Sequence, residues 1–232
     1  MNNIDDIEEL PESIRKYIDK MRFLTCKCLP NNKLYHMSCK KIIGNIDKTF
    51  YERGFIVCGN HDTITKDFGG LFAIDTEQLI IECSAEGYPK TILSFHTHPG
   101  QTVLPSNFDI LSFSDPKVQY MCIGRNSSGK ARIACYEKLV FYTYEDFVEL
   151  VDPIIDKYLH TSRYKLCTYE GEDIYNVPTM KYVGLEELML DIVIFDEETA
   201  SAMEKELYRK IREYIELGVH VVDMYLIELP CS

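Results

Sequence analysis

Two histidines and an aspartate near the middle of the chain have the spacing of a zinc site. His96 and His98 come at the end of the apolar run that begins at Thr91, and Asp109 lies one turn into the helix predicted after the next polar loop. Residues two apart on a strand point to the same side, so the two imidazoles would face one spot. Asp109 could reach back as a third ligand, and the fourth tetrahedral position would stay open to water. An open position is typical of a catalytic zinc rather than a structural one.

Each part of this pattern also has an ordinary explanation. A His-x-His pair alone can be incidental. The segment Ser106 to Asp109 matches a helix capping box, with serine as the cap and an acidic residue three positions later. The zinc interpretation is favoured because these residue types occur together where a strand, a loop and a helix would bring them to one place. Two competing zinc signatures, those of the nucleoside deaminases and of the zincins, do not occur in the sequence.

The stretch from His96 to Asp109 resembles the motif of the JAMM (MPN+) metalloprotease family, a glutamate followed at a distance by His-x-His-x7-Ser-x-x-Asp. Seven residues, Pro99 to Pro105, separate His98 from Ser106, which is the spacing of the family. The family's glutamate stands just before a glycine-bounded apolar strand, and Glu52 has that position here. The resemblance covers roughly residues 34 to 143.

The resemblance implies a role for each residue of the motif. His96, His98 and Asp109 would bind one catalytic zinc ion, and Glu52 would hydrogen-bond the water on that ion. Zinc lowers the pKa of its water to about 7, so a neighbouring carboxylate can take the proton and pass it to the leaving amine. Ser106 would donate a hydrogen bond to the oxygen of the tetrahedral intermediate. Three further glutamates precede the histidines and leave the assignment of Glu52 open: Glu77, Glu82 and Glu86.

The resemblance also implies a substrate class. Gln101 and Thr102, after His-Thr-His-Pro, look most like the deubiquitinating branch of the family, whose members remove ubiquitin or a ubiquitin-like modifier. Residues 60 to 90 are a candidate for an insertion that grips the modifier. Two alternatives stay open: a peptidase that processes the C-terminal tails of small β-grasp sulfur-carrier proteins, and a scaffold or binding module without turnover. The complete motif argues against the scaffold.

The cysteines suggest a second, structural metal site. Cys26 and Cys28 share one face if their segment is a strand, and His36 and Cys39 could complete four zinc ligands. The alternative is that these are buried free cysteines. The nine cysteines are odd in number and scattered in spacing, so we expect free or metal-bound thiols rather than a disulfide framework. Four others lie on apolar runs and are interpreted as small core residues: Cys58, Cys83, Cys122 and Cys135.

The elements that would position the motif are short strands with a few helices. Apolar runs bounded by glycine or turn residues predict strands, and Gly124 to Lys130 predicts a hairpin. The predicted strands are residues 54–59, 70–74, 79–83, 91–95, 118–123, 132–136 and 139–142, and a helix is predicted over 107–113. This order is typical of an α+β fold, and the family resemblance implies a JAMM/MPN-like mixed sheet flanked by helices.

The segments on either side predict a division into three parts. Helical periodicity predicts helices over 4–21, 34–48, 144–159 and 185–217, an extended segment over 23–29, and a final strand over 219–229 after a stop at Gly218. We therefore expect an N-terminal flanking helix and strand (1–33), the metalloprotease domain (34–143) and a mostly helical C-terminal extension (144–232).

Composition limits the partners of the chain. The formal net charge is −12, which argues against nucleic acid, because affinity for phosphate backbones depends on clustered lysine and arginine. No apolar run is long enough to span a bilayer, and the acidic N-terminus lacks the features of a signal peptide. The sequence thus predicts a cytoplasmic protein that acts on a protein substrate, without nucleic-acid or membrane partners.

Overall fold

The strands on either side of the histidine pair form one mixed sheet. The computed structural model describes residues 6–39, 52–59, 63–66, 76–85, 87, 90–99, 102–170 and 189–231. The strands are β1 (Gly54–Cys58), β2 (Thr63–Lys66), β3 (Thr91–Thr97), β4 (Val118–Ser127), β5 (Lys130–Lys138), β6 (Tyr164–Glu170), β7 (Met189–Phe195) and β8 (Val222–Pro230). A short 3-10 turn at Ile7–Glu9 precedes α1 (Glu12–Arg15), α2 (Ile18–Cys26), α3 (Asn31–His36), α4 (Thr76–Ala85), α5 (Asn107–Phe113), α6 (Tyr144–Thr161) and α7 (Glu197–Glu216).

The main sheet has the order β2-β1-β3-β4-β5-β8, and β6 pairs with β7 in a second, two-stranded sheet. β3 runs parallel to β4, whereas the other neighbouring strands of the main sheet are antiparallel. β3 therefore lies inside the sheet, with β1 on one side and β4 on the other. The predicted α+β class, with a mixed sheet flanked by helices, is confirmed.

Both faces of the main sheet are covered, because apolar residues alternate along its central strands. Met121 and Ile123 of β4 face a core built with α5, α6 and α7. Tyr120 and Cys122 face the opposite side, where α1 and α2 supply the apolar cover. Burial on both faces explains why β1 has a continuous apolar sequence rather than strict alternation.

Several segments differ from the sequence prediction. Residues 23–29 were expected to be extended, but α2 continues to Cys26 and buries Leu24 and Thr25 at helical spacing from Met21. Residues 79–83 lie in α4, where Ile80 and Cys83 are buried and Ile81 is exposed. A short apolar run suits a strand or a buried helix equally, and periodicity alone does not decide between them.

Two further differences lie near the C-terminal part. Residues 139–142 form a turn rather than a strand, and the predicted helix 185–217 divides into β7 and α7. Of the helix predicted over 34–48, residues 34–36 form the end of α3 and Met37 after it is extended; residues 40–48 lie outside the described residues, as does the predicted strand 70–74. The hairpin is confirmed, with a tight turn at Ser128 and Gly129, both of which have positive φ.

The C-terminal part contributes strands as well as helices. β8 pairs with β5 along its whole length, from Lys130 opposite Pro230 to Lys138 opposite Val222. α6 and α7 pack in the same core as β4 and β5. Residue 143 therefore does not separate two hydrophobic cores, although the three-part division itself stays a prediction. In the part of the chain that the structure describes, no helix combines the length and the apolar character needed to cross a membrane.

Candidate metal centre

His96 and His98 are fixed by the centre of the sheet. His96 lies opposite Gly54 of β1 and Ile123 of β4. His98 follows the last residue of β3, and its backbone N–H donates to the carbonyl of Gly124 at 2.8 Å. Both imidazoles are buried, with residue exposures of 2% and 4%. The alternation of β3 points both side chains to the same side of the sheet, as the sequence predicts.

The three predicted ligands meet at one point. His96 Nε2 lies 3.0 Å from His98 Nε2. It lies 3.1 Å from Asp109 Oδ1, and Asp109 Oδ2 lies 3.3 Å from His98 Nε2. Ligand atoms bound at about 2.0–2.1 Å around a tetrahedral zinc lie about 3.3 Å from one another. Two imidazole nitrogens and one carboxylate at these separations therefore form a group that could hold a metal ion.

Asp109 is positioned by the helix that it begins. Ser106 is the N-cap of α5, and its hydroxyl accepts from the Asp109 N–H while Asp109 Oδ2 accepts from the Ser106 N–H at 2.7 Å. The Ser106 hydroxyl also lies 2.7 Å from Oδ2, as a donor to it. The capping box and the metal interpretation are thus not exclusive: the same carboxylate caps the helix and reaches both histidines.

The two histidines differ in how their second nitrogen is held. His98 Nδ1 lies 3.0 Å from the carbonyl of Thr102, so Nδ1 carries the proton and Nε2 is directed to the metal position. Among the described residues, no hydrogen-bond partner lies at Nδ1 of His96. Since a bond from the second nitrogen fixes the tautomer and ring orientation of a ligating histidine, the carbonyl of Thr102 belongs to the site. The sequence motif did not reveal it, because the acceptor is a backbone atom.

Electrostatics make the metal-free group an ion pair. Burial lowers the pKa of His98, but the hydrogen bond and charge of Asp109, and then the charge of Glu52, raise it to about 9. Burial opposes ionisation of Asp109, yet the charges and hydrogen bonds of His96 and His98 hold its pKa well below the usual value. At neutral pH a proton on His98 therefore occupies the position between the ligands that a metal ion would take.

Glu52 lies at the same end of the sheet as the histidines. It is buried, with 6% exposure, and it comes two residues before Gly54, which pairs with His96. The backbones stay joined beyond that pair, because Thr97 N–H donates to the carbonyl of Arg53 at 2.9 Å. The effect of Glu52 on the pKa of His98 agrees with this proximity. Of the other glutamates considered, Glu77 and Glu82 lie on α4, and Glu86 lies outside the described residues.

The prediction of a second, structural zinc site is wrong, because two of its four proposed ligands form disulfides. Cys26 is bonded to Cys231 and Cys39 to Cys167. Cys28 is a buried free thiol whose pKa is raised to about 11, mainly by burial. His36 lies on α3, where its ring meets that of Tyr35 edge-on. A disulfide sulfur is not a thiolate, so these residues do not supply a tetrahedral zinc site.

The expectation of unpaired thiols is wrong for the other core cysteines too. Cys58 is bonded to Cys83, and Cys122 to Cys135, which lies opposite it across β4 and β5. Eight of the nine cysteines are therefore paired. Disulfides are rare in the cytosol, so these pairs lend no support to the cytoplasmic location, which stays a prediction from the sequence.

Comparisons of the chain with family models, with curated proteins and with solved structures gave no match. The resemblance to the JAMM family therefore depends on the motif residues alone. What the described residues establish is coarser: a buried His96-His98-Asp109 group that could hold a metal ion.

Proposed function

We propose that the chain is a zinc-dependent metallohydrolase that cuts a peptide or isopeptide bond. The observation that carries the proposal is the buried group of two imidazoles and a carboxylate, with the buried Glu52 at the same end of the sheet. Ligands that are neutral imidazole and carboxylate suit zinc, and three protein ligands leave a position for water. A structural zinc would have four protein ligands.

Each residue has a separate task in this proposal. His96, His98 and Asp109 would hold the ion, which when bound lowers the pKa of a water molecule and polarises the scissile carbonyl. Glu52 would accept the proton of the attacking water and transfer it to the leaving amine. Ser106 would donate to the developing oxyanion. For that step its hydroxyl must turn away from Asp109, to which it donates in the metal-free arrangement.

The proposed substrates are conjugates of ubiquitin or of a ubiquitin-like modifier, with the isopeptide bond as the point of cleavage. This part rests on the motif, in which His-Thr-His-Pro is followed by Gln101 and Thr102. The acidic chain, with its net charge of −12, suits a protein partner better than a nucleic acid. Processing of β-grasp sulfur carriers and a scaffold role without turnover are the other outcomes that the experiment must separate.

The test is cleavage of a panel of ubiquitin dimers and ubiquitin-like or sulfur-carrier fusions by zinc-loaded protein, with and without a chelator. Glu52→Gln should keep stoichiometric zinc and lose a hundredfold or more of kcat, as expected for a general base whose contribution is about 10²–10⁴. His98→Ala should lose both zinc and cleavage. His160→Ala is the matched control, because His160 is exposed in the last turn of α6 and far in sequence from the motif.

The outcomes separate the hypotheses. Cleavage that survives chelation or His98→Ala would contradict a metal mechanism. Cleavage of the sulfur-carrier fusions alone would select the alternative peptidase. Zinc binding without cleavage of any substrate would contradict the hydrolase and favour the scaffold.

A further inference from the structure

We infer that Glu204, on α7, is a positioning residue of the metal centre. This inference rests on the proposed metal centre, because it states which residue outside the motif holds His98 in its ligating orientation. Glu204 lies in the segment that the sequence assigns to a C-terminal extension, far from the motif in the chain, and its side chain is fully buried. Two hydrogen bonds, joined through the peptide unit between Thr102 and Val103, link it to the histidine.

The first link is to the loop that follows His98. The backbone N–H of Val103 donates to Glu204 Oε1 at 3.2 Å. On its other side, the carbonyl of Val103 accepts from the hydroxyl of Tyr136 at 2.9 Å. Val103 itself is completely buried. Both backbone polar groups of the buried residue Val103 are therefore satisfied by side chains, which fixes the path of the loop.

The second link is from the loop to the ligand. Thr102 immediately precedes Val103, and its carbonyl accepts from His98 Nδ1 at 3.0 Å. The hydroxyl of Thr102 also accepts from the N–H of Leu104 at 3.1 Å, which keeps this part of the loop compact. A shift of Val103 would move the carbonyl of Thr102 and with it the imidazole of His98. Partners of this kind orient metal ligands and tune affinity.

Glu204 is itself held rigidly by two arginines. Arg125 Nε lies 2.5 Å from Oε1 and Nη2 lies 3.2 Å from Oε2. Arg132 Nε lies 2.5 Å from Oε2. Burial lowers the pKa of Arg125, but the carboxylates of Glu204 and Glu197 more than offset this and raise it. Two guanidinium partners hold the buried carboxylate in one orientation, so it presents Oε1 to Val103 in one position.

A purely structural role of the same ion network is the competing explanation. Glu197 provides the comparison, because it accepts from Arg125 Nη1 at 2.9 Å and from the hydroxyl of Ser127 at 2.5 Å. Glu197 and Glu204 lie on the same helix, and both contact Arg125. Among the described residues, Glu197 contacts Arg125, Ser127 and Ser201 but not the loop of Val103. A general loss of network stability would follow from changing either glutamate, whereas loss of metal positioning would follow only from changing Glu204.

The experiment compares Glu204→Met with Glu197→Met in the full chain. Methionine has a similar length and no acceptor for Val103, and each arginine keeps one carboxylate, from Glu197 or Glu228. Glu204→Met should raise the Kd for Zn²⁺ by about ten- to a hundredfold, the range for lost outer-shell partners. It should also alter the visible absorption of bound Co²⁺, which reports ligand geometry. Glu197→Met should change the Kd by less than about twofold and leave the Co²⁺ spectrum unchanged.

Both variants are measured at a temperature where circular dichroism shows them folded. Equal zinc affinity in wild type and Glu204→Met, or equal losses in both variants, would overturn the inference. If Glu204→Met does not fold, Tyr136→Phe decides, because it removes only the hydroxyl bond to Val103. An unchanged Co²⁺ spectrum there would show that the hydrogen bonds to Val103 do not orient His98, which overturns the inference, and a changed spectrum supports it. Failure of the wild type to cleave any substrate would sink the hydrolase while leaving this comparison of metal affinities valid.

Discussion

The aspartate of the metal group uses its carboxylate both to cap its own helix and to contact the two histidines. Oδ2 accepts from the N–H and hydroxyl of Ser106, and Oδ1 lies beside His96. The carboxylate is thus held by its own helix. Because the ligands already lie at metal-like separations, binding costs little rearrangement, and the main competitor for the site is a proton.

We expect zinc binding to release a proton from His98. The pKa of His98 in the metal-free protein is about 9, and a ligating histidine must be neutral. The apparent affinity for zinc should therefore rise about tenfold per pH unit from pH 6.5 towards 9 and level off above it. Calorimetry at pH 7.5 in buffers of different ionisation enthalpy measures the number of protons released, which should be at least one because ionisation of the zinc-bound water can add to the proton from His98.

The raised pKa of His98 also predicts how the stability of the metal-free protein depends on pH. The folded pKa of His98 lies above its usual value of 6.5, so its pairing with Asp109 contributes stability fully below pH 6.5. That contribution is lost as the pH rises through 9, and urea unfolding of the metal-free protein should record the decline. Zinc-loaded protein should lack this particular decline. Proton release near zero at pH 7.5 would contradict the ion-pair description of the site.

The ligands were predictable from sequence, whereas their supporting partners were not. The spacing of His96 and His98 fixes their common direction once they lie on a strand, and a capping box fixes Asp109 at a helix start. The partners of these residues come from distant parts of the chain. In the sequence, Glu204 is one of many charged residues of a predicted helix. Cys26 pairs with Cys231 only because the fold brings α2 next to the end of β8. Such pairings depend on three-dimensional proximity, which spacing does not encode.

At the level of elements, the parallel pair of β3 and β4 is the part that positions the site. Gly124 of β4 lies beside Thr97 and Ile133 in register, and its carbonyl holds the backbone of His98. Helix α2 crosses above this glycine. A Cβ on Gly124 would lie 2.3 Å from the hydroxyl of Thr25 and 3.2 Å from the ring of Phe95. The approach of α2 to the sheet therefore requires the absence of a side chain here.

We expect Gly124→Ala to lower the free energy of unfolding by about 1–3 kcal/mol, the usual cost of overpacking. Alanine would otherwise be favoured over glycine within a strand, so the direction of the change tests the close contact. Urea denaturation monitored by circular dichroism gives the value. The double variant Gly124→Ala, Thr25→Ala should recover part of the loss, since the nearest atom is then absent. A stability equal to wild type for the single variant would show that α2 can shift freely.

The elements predicted correctly are those with unambiguous boundaries. Gly54 marks the start of β1, the Ser106 cap marks α5, and Gly218, with a φ of +82°, follows the end of α7. Residues 79–83 were assigned to a strand because a short apolar run has no clear period. In the structure these residues are helical, with Ile80 and Cys83 buried against the sheet and Ile81 exposed. Tertiary burial decided what local pattern left open.

The C-terminal part completes both the main sheet and one of the two cores that cover it. β8 completes the main sheet beside β5, and Cys26–Cys231 joins α2 to the end of that strand. α7 fills the core on one face and carries Glu204 to the loop of Val103. A segment that ends at residue 143 would therefore lack the edge strand β8, the core helices α6 and α7, and the carboxylate that accepts from the Val103 N–H.

We expect the isolated segment 1–143 to fail to fold cooperatively. Without β8 and α7, the apolar side chains of Ile133 and Ala134 lose their cover, and Arg125 and Arg132 keep neither carboxylate of α7. The apolar surface that α6, α7 and β8 cover would then be exposed to water, which a small domain cannot offset. Urea titration should therefore give a broad, non-cooperative transition, and the segment should not bind zinc with the affinity of the full chain.

A nicked full-length chain separates the effect of chain continuity from that of lost contacts. Val140 and Phe141 form an exposed turn between β5 and α6, with exposures of 88% and 62%, so a protease site can be inserted there. After cleavage the two pieces remain joined by two disulfides, Cys26–Cys231 and Cys39–Cys167. The nicked protein should keep cooperative unfolding and zinc binding, because the sheet and the hydrogen bond from Val103 to Glu204 remain. Cooperative folding and full zinc affinity of 1–143 alone would instead establish it as an independent domain.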